Sequence, residues 1–227
     1  PADSVLYWRV QASGANGPSL WSEVWSFTTG NPPGVPSLVS PANKALTKNY
    51  RPKFDWGNSS VPAGTTFDHY QIQVATEPTF GATVIDKNDG TLILSEFTPD
   101  IDLIPNTTFY WRVRAYNTDG EASGWSAVRT VRTAIAPPVL SSPVSGAAAG
   151  SLKPVFDWED AAGATSYTIQ VTKVASSSSV VLSKTTAGST YTPTTNLPAG
   201  KTLYWRVQAK GPNGPSAWSA VESFTTP

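Results

Sequence analysis

The chain has 227 residues, with 16 Lys plus Arg balanced by 16 Asp plus Glu, one His, no Cys and no Met. Neutral balance removes the clustered basic footprint that nucleic acid or an anionic membrane surface requires. The lack of Cys removes disulfides, thiolate metal sites and thiol catalysis, and no 18-residue apolar run is present to cross a membrane as a helix.

Hydrophobic residues at 39% still suffice for packed cores, while 17 Gly and 20 Pro mark a chain of many turns. With Pro at position 1, the sequence reads as starting inside a longer chain or after processing.

In chain order, the first predicted strand is Leu6-Tyr7-Trp8-Arg9-Val10-Gln11-Ala12. Its Leu, Trp, Val and Ala share one parity and its Tyr, Arg and Gln the other, so one face is buried and one wet. Trp21-Ser22 and the strand Ser26-Phe27-Thr28-Thr29 follow, then a Pro-containing junction through Pro36. A second set begins with Pro52-Lys53-Phe54-Asp55-Trp56 and Tyr70-Gln71-Ile72-Gln73-Val74. Asn88-Asp89-Gly90 lies between the apolar runs 83–85 and 92–94 and predicts a hairpin turn. Phe109-Tyr110-Trp111-Arg112-Val113-Arg114-Ala115, Trp125-Ser126 and Thr130-Val131-Arg132-Thr133 then repeat the opening pattern. After a second junction with Pro137-Pro138 the cycle recurs: 154–158, 167–171, Leu203-Tyr204-Trp205-Arg206-Val207-Gln208-Ala209, Trp218-Ser219 and 223–226. The chain therefore holds two full repeats, 31–134 and 135–227, and the closing part of an earlier one, 1–30. Short period-2 strands between Pro, Gly and Asn turns, with no helical periodicity, predict an all-β sandwich architecture. Short Pro-containing junctions predict stiff spacing between the units.

Catalytic constellations are missing. His69 has no nucleophile on a sharp elbow to serve. Asp86-Lys87-Asn88-Asp89-Gly90 departs from an EF-hand loop, whose twelfth position would be Phe97. The carboxylates Asp55, Asp157, Glu159 and Asp160 are read as a solvated strand face. No metal ligand set and no cofactor is expected.

Trp8, Trp56, Trp111, Trp158 and Trp205 fall on the buried parity and are expected in cores. Trp21, Trp125 and Trp218 are placed to lie over Arg9, Arg112 and Arg206 as cation–π stacks. Tyr7, Tyr110, Tyr204 and Trp25 are the candidate platform for glycans. Asn58-Ser59-Ser60 and Asn106-Thr107-Thr108 are N-glycosylation sequons.

The ordered motifs Phe-x-Trp, Tyr-x-Ile-x-Val, Tyr-Trp-Arg-Val, Trp-Ser and Phe-Thr-Thr resemble strands B, C, F and G of fibronectin type III domains, most closely the bacterial extracellular branch. The Arg/Trp stack resembles the ladder of cytokine receptors, although Trp21 to Ser26 runs one residue longer. The resemblance implies tandem antiparallel β-sandwiches of fibronectin type III, immunoglobulin-like type, with an incomplete first domain. Leu6, Phe109 and Leu203 stand where that family carries a corner tyrosine, so its hydroxyl bond must be missing or supplied otherwise.

The expected function is a non-catalytic structural or adhesive segment of a large extracellular multi-repeat protein. It would act as a stiff spacer at the cell surface or as a subunit of a fibre or filament assembled by strand sharing. Its partners would be other copies or neighbouring repeats. The alternative is a glycan-binding or accessory module of a secreted polysaccharide-degrading enzyme. For residues 1–30 three readings stand: truncation, completion by strands of another copy, or packing on the next domain.

Overall fold

The computed structural model describes residues 4–227 as strands, turns and extended chain, with no helix among them. The first segment holds β1 (Val5–Trp8), β2 (Ser13–Gly14), β3 (Gly17–Pro18) and β4 (Trp25–Thr28). The middle unit holds β5 (Leu38–Ser40), β6 (Ala45–Thr47), β7 (Phe54–Trp56), β8 (Phe67–Ala75), β9 (Thr83–Lys87), β10 (Glu96–Phe97), β11 (Thr108–Asn117) and β12 (Arg129–Thr133). The last unit repeats this set as β13 (Leu140–Ser142), β14 (Ala147–Ala148), β15 (Phe156–Trp158), β16 (Ser166–Thr172), β17 (Val180–Thr186), β18 (Thr190–Tyr191), β19 (Thr202–Lys210) and β20 (Glu222–Thr225).

Each complete unit is a three-stranded sheet facing a five-stranded one. The orders are β10-β7-β5 against β6-β12-β11-β8-β9, and β13-β15-β18 against β14-β20-β19-β16-β17. Pairing is antiparallel except at β6–β12 and β14–β20. Strict alternation of buried and half-buried residues along β11 reflects its sequence: Phe109, Trp111, Val113 and Ala115 point in, and Tyr110, Arg112, Arg114 and Tyr116 point out. Phe54 from the opposite sheet meets Trp111 edge-on at 5.0 Å, and Phe156 meets Trp205 at 4.9 Å. Tandem β-sandwiches are thus the architecture of the chain.

The missing corner tyrosine is replaced by a threonine at the end of the last strand. Thr133 Oγ1 donates to Ile104 O (2.6 Å) and accepts from Thr107 N (3.0 Å). Thr226 Oγ1 does the same with Pro198 O (2.6 Å) and Lys201 N (3.1 Å).

Two expectations need correction. Residues 83–94 do not form a hairpin: the chain bends at Gly90 (φ 76°), and 91–94 leaves the sheet. Leu92 drops into the core, where Tyr70 N donates to its carbonyl (2.8 Å), and Glu96–Phe97 pairs with the opposite sheet. Burying Leu92 competes successfully with continuing the ladder. Trp8, expected in a core, is 46% exposed, because no sheet faces β1 and β4 among the described residues. Its counterparts Trp111 and Trp205 are fully covered.

Candidate functional site

The outer face of the middle unit's five-stranded sheet carries the densest side-chain chemistry, and a serine pair builds it. Ser123 and Ser126 each bond twice to β11 before β12 begins. Ser126 N donates to Val113 O and Ser126 Oγ accepts from Val113 N (2.8 and 3.0 Å); Ser123 does the same with Ala115 (2.8 and 3.0 Å). These bonds hold the irregular segment flat against the sheet and fix Trp125 between them. Ser19-Leu20-Trp21-Ser22 and Ser216-Ala217-Trp218-Ser219 make the same bonds to β1's continuation and to β19.

The fixed indole covers an arginine in every repeat. Guanidinium-to-ring distances are 4.3 Å for Arg9–Trp21, 4.2 Å for Arg112–Trp125 and 4.2 Å for Arg206–Trp218. A glutamine on the adjacent strand orients the guanidinium. Gln73 Oε1 accepts from Arg112 Nε and Nη2 (3.0 and 2.8 Å), and Gln170 Oε1 from Arg206 (3.2 and 2.9 Å).

Among the described residues, only the middle unit extends this unit of three residues into a ladder. Phe80 lies over the Arg112 guanidinium at 4.0 Å, Arg114 lies 4.5 Å from Trp125 and 5.0 Å from Tyr116, and His69 stacks on Tyr116 at 4.6 Å and 8°. Phe80 adopts φ 58°, an uncommon conformation for a bulky side chain. The Glu77 carboxylate enforces it by accepting from the amides of Thr79 (2.9 Å) and Gly81 (2.5 Å) and from the Thr79 hydroxyl. These bonds, first that of the Thr79 hydroxyl, hold the Glu77 carboxyl below its usual range. Beneath the ladder, buried Gln71 accepts from Arg114 Nε (2.8 Å) and Tyr116 OH (3.2 Å) and donates to Asp86 (2.5 Å). Asp86 also accepts from Gln73 (2.8 Å). Burial first, and then the neighbouring Arg114 charge, push Arg112 below its usual range, with Asp86 opposing them.

Phe80, Arg114, Gln71 and Tyr116 were not singled out from sequence. The threefold Ser-x-Trp-Ser spacing was the signal that could have located the outer face. His69 bonds Asp68 (2.8 Å) and Asn88 (2.9 Å) and sits half-buried at the end of the ladder. Asp55 and Asp157 are half-buried on their strands, and Glu159 and Asp160 are exposed. Among the described residues, no group of three or more His, Asp or Glu is arranged to hold a metal. Tyr7 is 73% exposed and Trp25 62%, whereas Tyr110 and Tyr204 are half-buried on their outer faces.

The two sequons differ. Asn58 is exposed, but Asn106 is not an open acceptor. Its Oδ1 accepts from Asn213 Nδ2 of the last unit (2.9 Å), and its Nδ2 lies where a Cβ on Gly163 would be, so a sugar there has no room.

That contact belongs to a seated junction. Ile135 is buried in the core of the last unit while its carbonyl accepts from Tyr50 OH of the middle one (3.1 Å). A Cβ at Gly211 would strike the Gly163 carbonyl and Ile135 Cδ1, and one at Gly214 would strike Leu46. The earlier junction is polar instead. Buried Asn31 donates from its amide to Glu121 Oε2 (2.9 Å) and from Nδ2 to Ala63 O (3.0 Å), and Asn117 Nδ2 bonds the same carboxylate (2.9 Å).

Compared with known proteins, a family model described as "Rha78A-like, N-terminal immunoglobulin domain" matches residues 40–137 and again 145–227. Among solved structures, the FN1–FN3 domains of chicken CNTN1 share 16% identity and a TM-score of 0.37, with 97% of this chain and 77% of that chain covered. No curated protein matches.

Proposed function

The chain belongs to the Rha78A-like N-terminal immunoglobulin domain family, and on that premise we propose that it is a stiff, non-catalytic spacer in a large extracellular multi-repeat protein. Modules of this kind are generally non-catalytic, and the family's description places its domain ahead of other parts of a longer chain. The observation that carries the spacer reading is the seated junction. Ile135 is covalently part of the connection yet packed in the last unit's core, and Tyr50, Asn106, Asn213 and Leu46 close around it. A linker whose residues are spent on both neighbours has few rotamers left to lose, so the orientation of one sandwich on the next is set by packing.

Backbone ¹⁵N relaxation tests this reading. Residues 31–134 and 135–227 are expected to report one common rotational correlation time. Gly214→Val, which drives a side chain into Leu46, is expected to uncouple them. Two independent, faster tumbling times in the unaltered chain would overturn the spacer reading.

A second element of the proposal is contact with other copies or neighbouring repeats through the first segment. Its supporting observation is the exposed apolar face of Trp8, Val10 and Phe27. Asn58, open on the surface, is the remaining candidate for a glycan.

A further inference from the structure

The internal repeat separates what the fold needs from what one unit has added. All three repeats carry the Arg–Trp stack and its serine anchors. At the next outward position along the strand, the first and last repeats carry Gln11 and Gln208, which donate to Ser19 O (2.7 Å) and Ser216 O (2.8 Å). The middle unit carries Arg114 there. On the neighbouring strand, Thr28 and Thr225 of the outer repeats correspond to Arg132. The complete sandwich of the last unit is therefore built without either arginine, and so is the strand pair of the first segment.

In the middle unit these two arginines join Arg112 on one outward face. Arg112 and Arg114 are two residues apart on β11, their guanidinium groups lie 4.2 and 4.5 Å from the Trp125 ring, and both are half-buried. Arg132 is register-paired with Thr108, one outward step beyond Tyr110. The side-chain hydrogen bonds of the first two use Nε of both and Nη2 of Arg112, which leaves Nη1 of Arg112 and both terminal nitrogens of Arg114 unbonded among the described residues. One carboxylate, Asp86, is nearby, and it is engaged by Gln71 and Gln73 rather than by an arginine. Fixing two like charges together in a half-buried setting is unfavourable unless an anion arrives. Burial first, and the Arg114 charge second, lower the ionisation range of Arg112, and Asp86 opposes them.

We propose that this face binds an acidic polysaccharide, whose carboxylates are taken by Arg112, Arg114 and Arg132 and whose sugar rings pack on Tyr110 between them. The guanidinium fork matches a carboxylate in geometry as well as in charge. From the Thr108–Arg132 row to Arg114 the strand rises about 20 Å, which suits an extended polymer rather than a single small anion. Tyr110 makes the choice between a sugar and an acidic peptide. Its ring is half-buried and outward, and it makes no ring or hydrogen-bond contact among the described residues, unlike Tyr116, whose ring is used by the ladder. A sugar ring can use both the open aromatic face and the charges, while a run of acidic side chains uses only the charges.

Titration calorimetry of the whole 227-residue chain with an oligogalacturonate is the test. Binding is expected at low salt and is expected to weaken as salt rises. The fully methyl-esterified form of the same oligosaccharide, which keeps the rings and loses the charge, is expected to bind at least about tenfold more weakly. The double variant Arg114→Gln/Arg132→Thr installs the outer repeats' own residues. It is expected to remain folded with a cooperative thermal transition, lowered by several degrees as the Arg114 contacts to Trp125 and Tyr116 are lost, and to lose about tenfold or more in affinity for the acidic form.

Absence of binding by the unaltered chain, or equal binding of the esterified oligosaccharide, would overturn the proposal without needing any variant. An unchanged affinity in a folded double variant would also overturn it. Poly-L-glutamate binding as tightly as oligogalacturonate would move the ligand to an acidic peptide and overturn the carbohydrate assignment. None of these outcomes bears on whether the two sandwiches tumble together.

Discussion

Trp125 touches two guanidinium groups where Trp21 and Trp218 touch one each. A cation–π contact contributes about 0.5–2 kcal/mol. Trp125→Ala should therefore destabilise the middle unit by about 0.5–2 kcal/mol more than Trp218→Ala destabilises the last. For a domain of this size, that difference is roughly 2–16 °C in melting temperature, measurable by calorimetry of the two single variants. Equal shifts would mean that the extension of the ladder adds nothing to stability. Phe80 depends on a different residue. Glu77 holds the loop through its ionised carboxylate, and its pKa is lowered in the folded state. The stabilisation is therefore present above the ordinary glutamate range and is lost as pH falls through the lowered folded value. On acidification, the Phe80 ring and Arg112 Nε–H resonances should shift together, with a midpoint below that of an ordinary glutamate. Glu77→Ala should show the acid spectrum already at neutral pH, and a pH-independent Phe80 signal in the unaltered chain would refute the coupling.

At the scale of the element, the Ser-x-Trp-Ser segment acts as a strand without a full ladder. In the middle unit, Ser126 Oγ satisfies the buried amide of Val113, whereas the matching bond from Val10 N to Ser22 Oγ is exposed. Leaving a buried donor unpaired costs about 1–3 kcal/mol, while water replaces an exposed partner. Ser126→Ala should therefore be clearly destabilising and Ser22→Ala close to neutral, as chemical denaturation of the two variants would show. Most of the fold was legible at this scale because the period-2 alternation of Tyr-Trp-Arg-Val and Phe-Asp-Trp is itself the burial pattern. The Arg–Trp contacts could be anticipated for the same reason: parity places Arg112 outward, and a fixed spacing brings Trp125 back over it. Phe80 could not be read, because its position follows from a loop folded round Glu77 and not from any period. The expected hairpin at Asn88-Asp89-Gly90 went wrong through a competition the local turn signal cannot register: Leu92 gains more from the core than from the sheet edge. Asn106 carried a sequon whose meaning changed only once Asn213, 107 residues away, was seen to occupy it.

At the scale of the whole molecule, the units differ most in what covers the inner face of their last two strands. In the two complete sandwiches, a three-stranded sheet covers it, and Trp111 and Trp205 are at 0% and 1% exposure. In the first segment, the same register leaves Trp8 at 46%, Phe27 at 52% and Val10 at 56%. Trp25 adds a further aromatic, meeting Trp8 edge-on at 5.7 Å, at the register position where Arg129 and Glu222 stand in the complete units. Covering a large apolar side chain contributes about 1.5–3 kcal/mol, and an isolated pair of strands is marginal in water. The 227-residue chain should therefore self-associate through this face, since a second copy can cover Trp8, Val10 and Phe27 with its own equivalents. Sedimentation velocity over a range of concentrations should show a species heavier than 24.1 kDa growing with concentration. Trp8→Ser/Phe27→Ser should sediment as a monomer throughout and keep the thermal transitions of both complete units, because no residue of their cores is altered. A chain that remains monomeric at every concentration would show that this face does not recruit another copy. Contact between copies would then have to be sought at the sheet edges β9 and β17 instead.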